Sequence, residues 1–132
     1  NPPFTLNDNE IKNDILIRSK GDKKLLINDL LNTRVFLSPG HIGEVFCLAA
    51  EEARELCVPI VTMGYGSLYE RVEHNVTGFI ARNQNEFIKY SNDILNNDVI
   101  FMNFRNNLLK KKNSRNYSNV KNDFLKLLKI DD

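Results

Sequence analysis

Little in this chain invites a metal, a membrane or a polyanion. Its 132 residues include two cysteines and two histidines, and the net charge is +1. Cys47 and Cys57 form neither a Cys-x-x-Cys pair nor a disulfide framework, and both are expected to be small buried apolar residues. There is no Cys/His cluster and no Asp-x-Asp pair, so no metal and no other cofactor is expected. No apolar run approaches the about 18 residues that cross a bilayer, and no signal-peptide pattern opens the chain. A cytoplasmic location follows as the expectation, at most peripheral at the inner membrane face. The near-zero charge gives no reason to expect a nucleic-acid partner, and Lys110-Lys111-Lys112 reads as a solvated helix end. Repeats and low-complexity linkers are missing too.

What is present is an ordinary globular composition, 42% apolar and 27% charged. The length suits one domain over residues 1–132. The chain opens on Asn1 rather than Met, as a processed product or a fragment would.

Short apolar runs alternate with helical patterns. Residues 1–14 read as an irregular lead-in, and Ile15-Leu16-Ile17 as a buried strand. Asp22 is placed to cap a helix carrying Leu25, Leu26, Leu30 and Leu31 at helical spacing, which Asn32-Thr33 ends. Val35-Phe36-Leu37 is expected to be a parallel strand buried on both faces, stopped by Ser38-Pro39-Gly40. A helix rich in Ala and Glu is predicted from Glu44 or Phe46 to Leu56, closed by Pro59. The strand Pro59-Ile-Val-Thr62, a glycine loop over 63–67, a helical turn or two from Leu68 to Glu73 and the strand Gly78-Phe79-Ile80 follow. Helices are predicted over 86–95, 99–112 and 118–130. The alternation predicts an α/β fold, a Rossmann-like parallel sheet flanked by helices, with further helices at the C-terminus.

In such sheets ligands bind beyond the carboxyl ends of the strands. The loops leaving Leu37 and Thr62 would open on that edge. The first, Pro39 to Glu44, runs into a predicted helix start, where the free amides of Phe46, Cys47 and Leu48 suit a phosphate. The second supplies Gly64 and Gly66, which allow close approach of backbone. Glu44 and Glu52 would lie about 12 Å apart along a regular helix. That separation is too long for the carboxyl pair of a glycoside hydrolase and suits a ligand with polyhydroxyl ends and a phosphate between. A pair of solvated surface carboxylates is the plainer reading of the spacing.

Three blocks together resemble a known family. Glu44-Val-Phe-Cys-Leu-Ala-Ala-Glu-Glu52-Ala53 is similar to the E-x7-E motif of retaining glycosyltransferases of the GT-B fold, of the family-4 type. Cys57-Val-Pro-Ile-Val-Thr62 and Gly66-Ser-Leu-Tyr-Glu70 through Gly78-Phe79 resemble the strand and loop that follow it there. The resemblance covers residues 34–82. It implies the donor-binding half of a GT-B enzyme, taking a sugar from a nucleotide diphosphate sugar to a glycan or lipid acceptor in cell-surface polysaccharide or glycolipid synthesis. By position, Glu44 would bind sugar hydroxyls in the catalytic centre, and Glu52 the ribose. The amides of Phe46, Cys47 and Leu48 would hold sugar and diphosphate, with Gly66 and Ser67 in the adjoining loop. His41 is a candidate for touching sugar or pyrophosphate, against an ordinary exposed loop histidine.

The departures are also specific. Val45 and Cys47 replace the two glycines that flank the family's Phe, and Ser67 replaces a loop glycine. By this resemblance an N-terminal acceptor domain is expected outside this sequence, and the 43 residues before Glu44 hold no convincing match to the family's diphosphate-clamping Arg and Lys. The chain is therefore expected to be a partial donor domain, inactive alone. A non-catalytic remnant acting as a binding module is the alternative, with a fragment of a GT-B-fold sugar epimerase behind it.

Overall fold

A computed structural model describes residues 10–12, 15–17, 22–112 and Leu125. The helix expected over 118–130 lies outside them, save for Leu125, which is helical. The chain falls into two compact units, Asn1–Asn32 and Thr33–Asp132.

The first unit holds β1 (Glu10–Lys12) and β2 (Ile15–Ile17), an antiparallel pair with Ile11 opposite Leu16. The sequence suggested no strand at β1, because Ile11 is its single apolar residue and no alternation shows. Helix α1 (Lys23–Leu31) begins as expected: the Asp22 carboxylate accepts from the Lys24 amide at 3.1 Å. It ends at Asn32, whose amide returns to the carbonyls of Asn28 and Asp29. Of its four leucines only Leu30 is buried, so the expected apolar stripe stays largely in solvent.

The second unit is α/β. Strands β3 (Phe36–Ser38), β4 (Ile60–Thr62) and β5 (Gly78–Ile80) form a parallel sheet in the order β3-β4-β5. Central β4 is buried at all three residues, as a strand covered on both faces must be. The register sets Leu37 beside Val61 and Val61 beside Phe79. On that face Val61 and Phe79 join Ile94 of α4 (Gln84–Asn96) and Phe104 of α5 (Asp98–Lys112) in the main apolar cluster. Phe79 stacks on Tyr90, ring centres 4.4 Å apart, and meets Phe104 edge-on. Leu37 corrects the expectation of a strand buried on both faces, since it is 47% exposed. Its strand pairs only with β4 among the described residues, so on that face Leu37 has a neighbouring strand's side chain on one side alone.

Helix α2 (Leu48–Glu55) packs on β3 and β4 and buries Ala50 and Ala53 completely. Small residues allow that close approach. The short α3 (Leu68–Arg71) leans on α2. Arg34 ties the chain ahead of β3 to the far side: it donates to the Ile94 carbonyl at 2.8 Å and pairs with Asp98 at 2.6 Å. Its guanidinium also lies 4.5 Å from the Phe101 ring centre.

The end of α2 is a Schellman motif. The Cys57 amide bonds the Arg54 carbonyl at 3.0 Å, and the Val58 amide bonds that of Ala53 at 2.9 Å. Such a turn needs a left-handed residue, usually glycine, and here it is Cys57 at φ 58°. A side chain in that conformation costs about 1–2 kcal/mol. Shrinking a buried side chain ordinarily destabilises in proportion to the atoms removed, so alanine should be preferred to glycine at this site. The turn reverses that order. Cys57→Gly is expected to be more stable than Cys57→Ala by about 1 kcal/mol in urea unfolding, and alanine equal to or better than glycine would refute the strain.

Candidate functional site

Because β3 and β4 are parallel, the segments leaving Ser38 and Thr62 emerge on one edge of the sheet. They are laced together. The Met63 amide donates to the Pro39 carbonyl at 3.1 Å, and the Ser67 amide to the Glu44 carbonyl at 2.9 Å. Gly66, at φ 60°, lies so close beneath the first loop that a Cβ there would stand 2.5 Å from the Glu44 carbonyl oxygen. The sequence motive for a glycine is thus visible: both the backbone angle and the space demand it.

The first loop also folds on itself. The Glu44 amide donates to the His41 carbonyl at 2.9 Å, and the Gly43 amide donates to His41 Nδ1 at 3.0 Å. His41 is exposed, with its ring turned onto its own loop. Helix α2 begins at Leu48, not at Glu44 or Phe46, because Cys47 adopts a left-handed conformation at φ 48° and ψ 74° that no helix can continue. Two of the amides expected at the helix start therefore precede it. The Cys47 amide is engaged by Glu44 Oε1 at 2.9 Å. That leaves the amides of Leu48, Ala49 and Ala50 as the first of the helix, and Cys47 offers them no side-chain cap.

Glu44 stands off the helix, so helical geometry does not set its distance from Glu52. One of its oxygens holds Cys47; a carboxylate has acceptor capacity for further hydrogen bonds. Glu52 is half-buried in the second turn of α2, and its carboxylate makes no hydrogen bond or ion pair among the described residues. Its neighbour Glu51 differs: Arg54 holds it at 2.6 Å and Arg71 at 3.4 Å. Ser67 is buried with its hydroxyl unpartnered. Phe46 and Leu48 are exposed, as are Ile42 and Val45 beside them, so the loop presents an apolar rim around Glu44.

The third segment on this edge follows β5. The Ala81 amide donates to the Thr62 carbonyl at 2.7 Å, which continues the ladder. Arg82 then pairs with Glu86 in the first turn of α4, whose N-cap is Asn83. Hydrogen bonds from the Arg82 guanidinium, and then from its backbone amide, hold the Glu86 carboxyl far below the usual carboxylate range, at about 2. A shallow cleft of about 170 Å³ lies at the other end of α2, where Arg54, Arg71 and Lys111 face Glu55, Glu70 and Glu73. Lys112 and Thr77 also line it, and Thr77 immediately precedes β5, so the cleft lies apart from the loops that leave the carboxyl ends of β3 and β4.

Two residues matter here that sequence patterns missed, Arg71 and Arg34, whereas His74 fits the structural or exposed histidine expected in a turn before Gly78. Arg71 lays its guanidinium 4.4 Å from the Phe46 ring centre, an arrangement between residues 25 apart that no local spacing announces. His74 accepts from the Ile80 amide at 3.0 Å and packs edge-on against Phe79 and Tyr90, which makes it a structural histidine. Arg34 could have been noticed only as a charge beside an apolar run.

Among the described residues no three His, Cys, Asp or Glu side chains gather as a metal site, and no helix is long and apolar enough to cross a membrane. Compared with known proteins, the chain matches the family described as Glycosyl transferases group 1 over residues 7–115. No curated protein matches it.

Proposed function

The chain belongs to the group 1 glycosyl transferases, and from that premise we propose that residues 38–67 form the donor pocket of a retaining, family-4-like enzyme. Membership implies glycosyl transfer from a nucleotide-sugar donor to an acceptor. The finer assignments are these. The donor is a nucleotide diphosphate hexose. Glu44 accepts hydrogen bonds from sugar hydroxyls with its remaining acceptor capacity, and Glu52 accepts from the ribose. The diphosphate lies against the open amides at the start of α2, where the helix dipole favours an anion. Gly66 and Ser67 form the wall behind Glu44, with His41 on the outer side of the loop. The acceptor is a glycan or lipid, bound by a separate acceptor domain, and the chain is part of the donor domain.

The observation that carries this reading is the lacing of two glycine-bearing loops in front of an uncapped helix start. In the proposed reaction those amides stabilise charge developing on the leaving diphosphate, as fixed dipoles do without reorganisation. No metal is required, since amides and helix dipole supply the positive potential. The reaction runs in the cytoplasm or at the inner face of the membrane.

Titrating the chain with UDP-, GDP- and ADP-glucose in a calorimeter tests the pocket. At least one should bind, and Glu52→Ala should weaken it about tenfold, the worth of one hydrogen bond to a charged group. Silence from all three, or full affinity in Glu52→Ala, would end this assignment.

A further inference from the structure

Arg71 is a cation almost wholly withdrawn from water, its side chain 9% exposed. Burying a charge is costly unless partners surround it. Its partners come from two other parts of the unit. Glu51 of α2 lies 3.4 Å from Nε, and Arg54 holds the same carboxylate at 2.6 Å. On the other side the guanidinium covers the Phe46 ring and brings Nη2 within 3.5 Å of the Phe46 carbonyl oxygen. Nε itself makes no hydrogen bond, so the ring and the carboxylate, rather than a fork of donors, hold the group in place.

Phe46 is the residue before the left-handed turn at Cys47. A side chain in that conformation persists only where its surroundings over-determine it. From the N-terminal side, Glu44 secures the Cys47 amide. Next to the turn, Arg71 secures Phe46, whose ring is otherwise half in solvent. Helix α3 thus fixes, through one side chain, both α2 at Glu51 and the loop that leads into it.

We propose that Arg71 is a positioning residue for the donor pocket: its guanidinium clamps Phe46, holds the turn at Cys47, and so keeps Glu44 and the first amides of α2 aimed at the nucleotide sugar. The proposal rests on the donor reading above. Arg71 acts through the loop, because its side chain is almost buried, with Glu51 at Nε and the Phe46 ring over its face.

The test uses the full chain, with Cys47 as reporter. Cys47 is partly exposed and Cys57 buried, so a thiol-reactive disulfide such as DTNB labels them at different rates. Arg71→Met keeps the aliphatic stem and removes the clamp. It is expected to label at Cys47 severalfold faster with Cys57 unchanged, and to bind the best nucleotide sugar about tenfold more weakly, or 1.4 kcal/mol. Arg71→Lys, which keeps the charge over the ring, should recover most of both. Phe46→Leu leaves the Glu51–Arg71 pair intact and should reproduce the faster Cys47 labelling without disturbing the contacts of α2 at Glu51. Unchanged Cys47 labelling in Arg71→Met and Phe46→Leu would overturn the clamp, as would both cysteines speeding together. Faster labelling with unaltered donor affinity would overturn the positioning role. A wild-type chain that binds no nucleotide sugar defeats the donor reading instead, while labelling still decides whether Arg71 holds the turn.

Discussion

Gly78→Ala is expected to destabilise the second unit by about 3 kcal/mol, near the upper end of what overpacking does. The single added carbon would stand 2.1 Å from the Ile60 carbonyl oxygen and 3.0 Å from the Ile60 nitrogen. Both obstacles are backbone, so no rotamer change relieves them. Ile60 is itself buried in the central strand and pairs with Gly78 in the ladder. Relief therefore means moving β5 away from β4, which loosens Phe79 in the main cluster. For a unit of this size the loss corresponds to a fall of about 15 °C in Tm. Thermal or urea unfolding followed by circular dichroism measures it, and a Tm within about 2 °C of wild type would show that the strands can part cheaply.

Gly66→Ala should injure the pocket and spare the fold. Its Cβ would meet the Glu44 carbonyl oxygen at 2.5 Å and that of His41 at 2.7 Å, both on a solvent-exposed loop that can retreat. Retreat breaks the Ser67–Glu44 backbone bond and shifts Glu44. Displacing a binding group by even 1 Å is expensive for recognition. Nucleotide-sugar affinity is expected to fall more than tenfold, with a loss of only about 1–2 kcal/mol in stability from the left-handed angle. Gly66→Asn separates the causes, because Asn tolerates that angle but keeps the Cβ. If Asn binds as poorly as Ala, crowding dominates; if Gly66→Ala binds the donor like wild type, the two loops do not depend on each other.

The features that sequence made legible are those coded by local chemistry. Asp22 announced its helix because a short carboxylate caps amides two residues on, and Pro59 announced a boundary because it cannot donate. The parallel sheet followed from short apolar runs between helical patterns. What could not be read depends on distant partners. Leu37 looks like any buried strand residue, and its exposure is decided by which strand lies beside it. The start of α2 was misplaced because Ala and Glu favour helix throughout, whereas the break comes from the angles of Cys47. Cysteine carries no signal for a left-handed turn, so neither Cys47 nor Cys57 advertised one. In the candidate site the loops, both glycines and the two glutamates were visible from their spacing and family likeness. The engagement of Cys47 by Glu44 and the Arg71 clamp were not, since each requires knowing how a backbone turns.

The two ends of α2 are finished differently. At its C-terminus the carbonyls are gathered by the amides of Cys57 and Val58, while its N-terminus has no capping side chain. A ligand oxygen settling on those first amides would take the part a serine or aspartate plays in other helices. Winding of the first turn and capture of the ligand would then be one equilibrium. Measured affinity would include the helix's own free energy of completion, and residues that change how readily Leu48 to Ala50 wind would alter binding without touching the ligand.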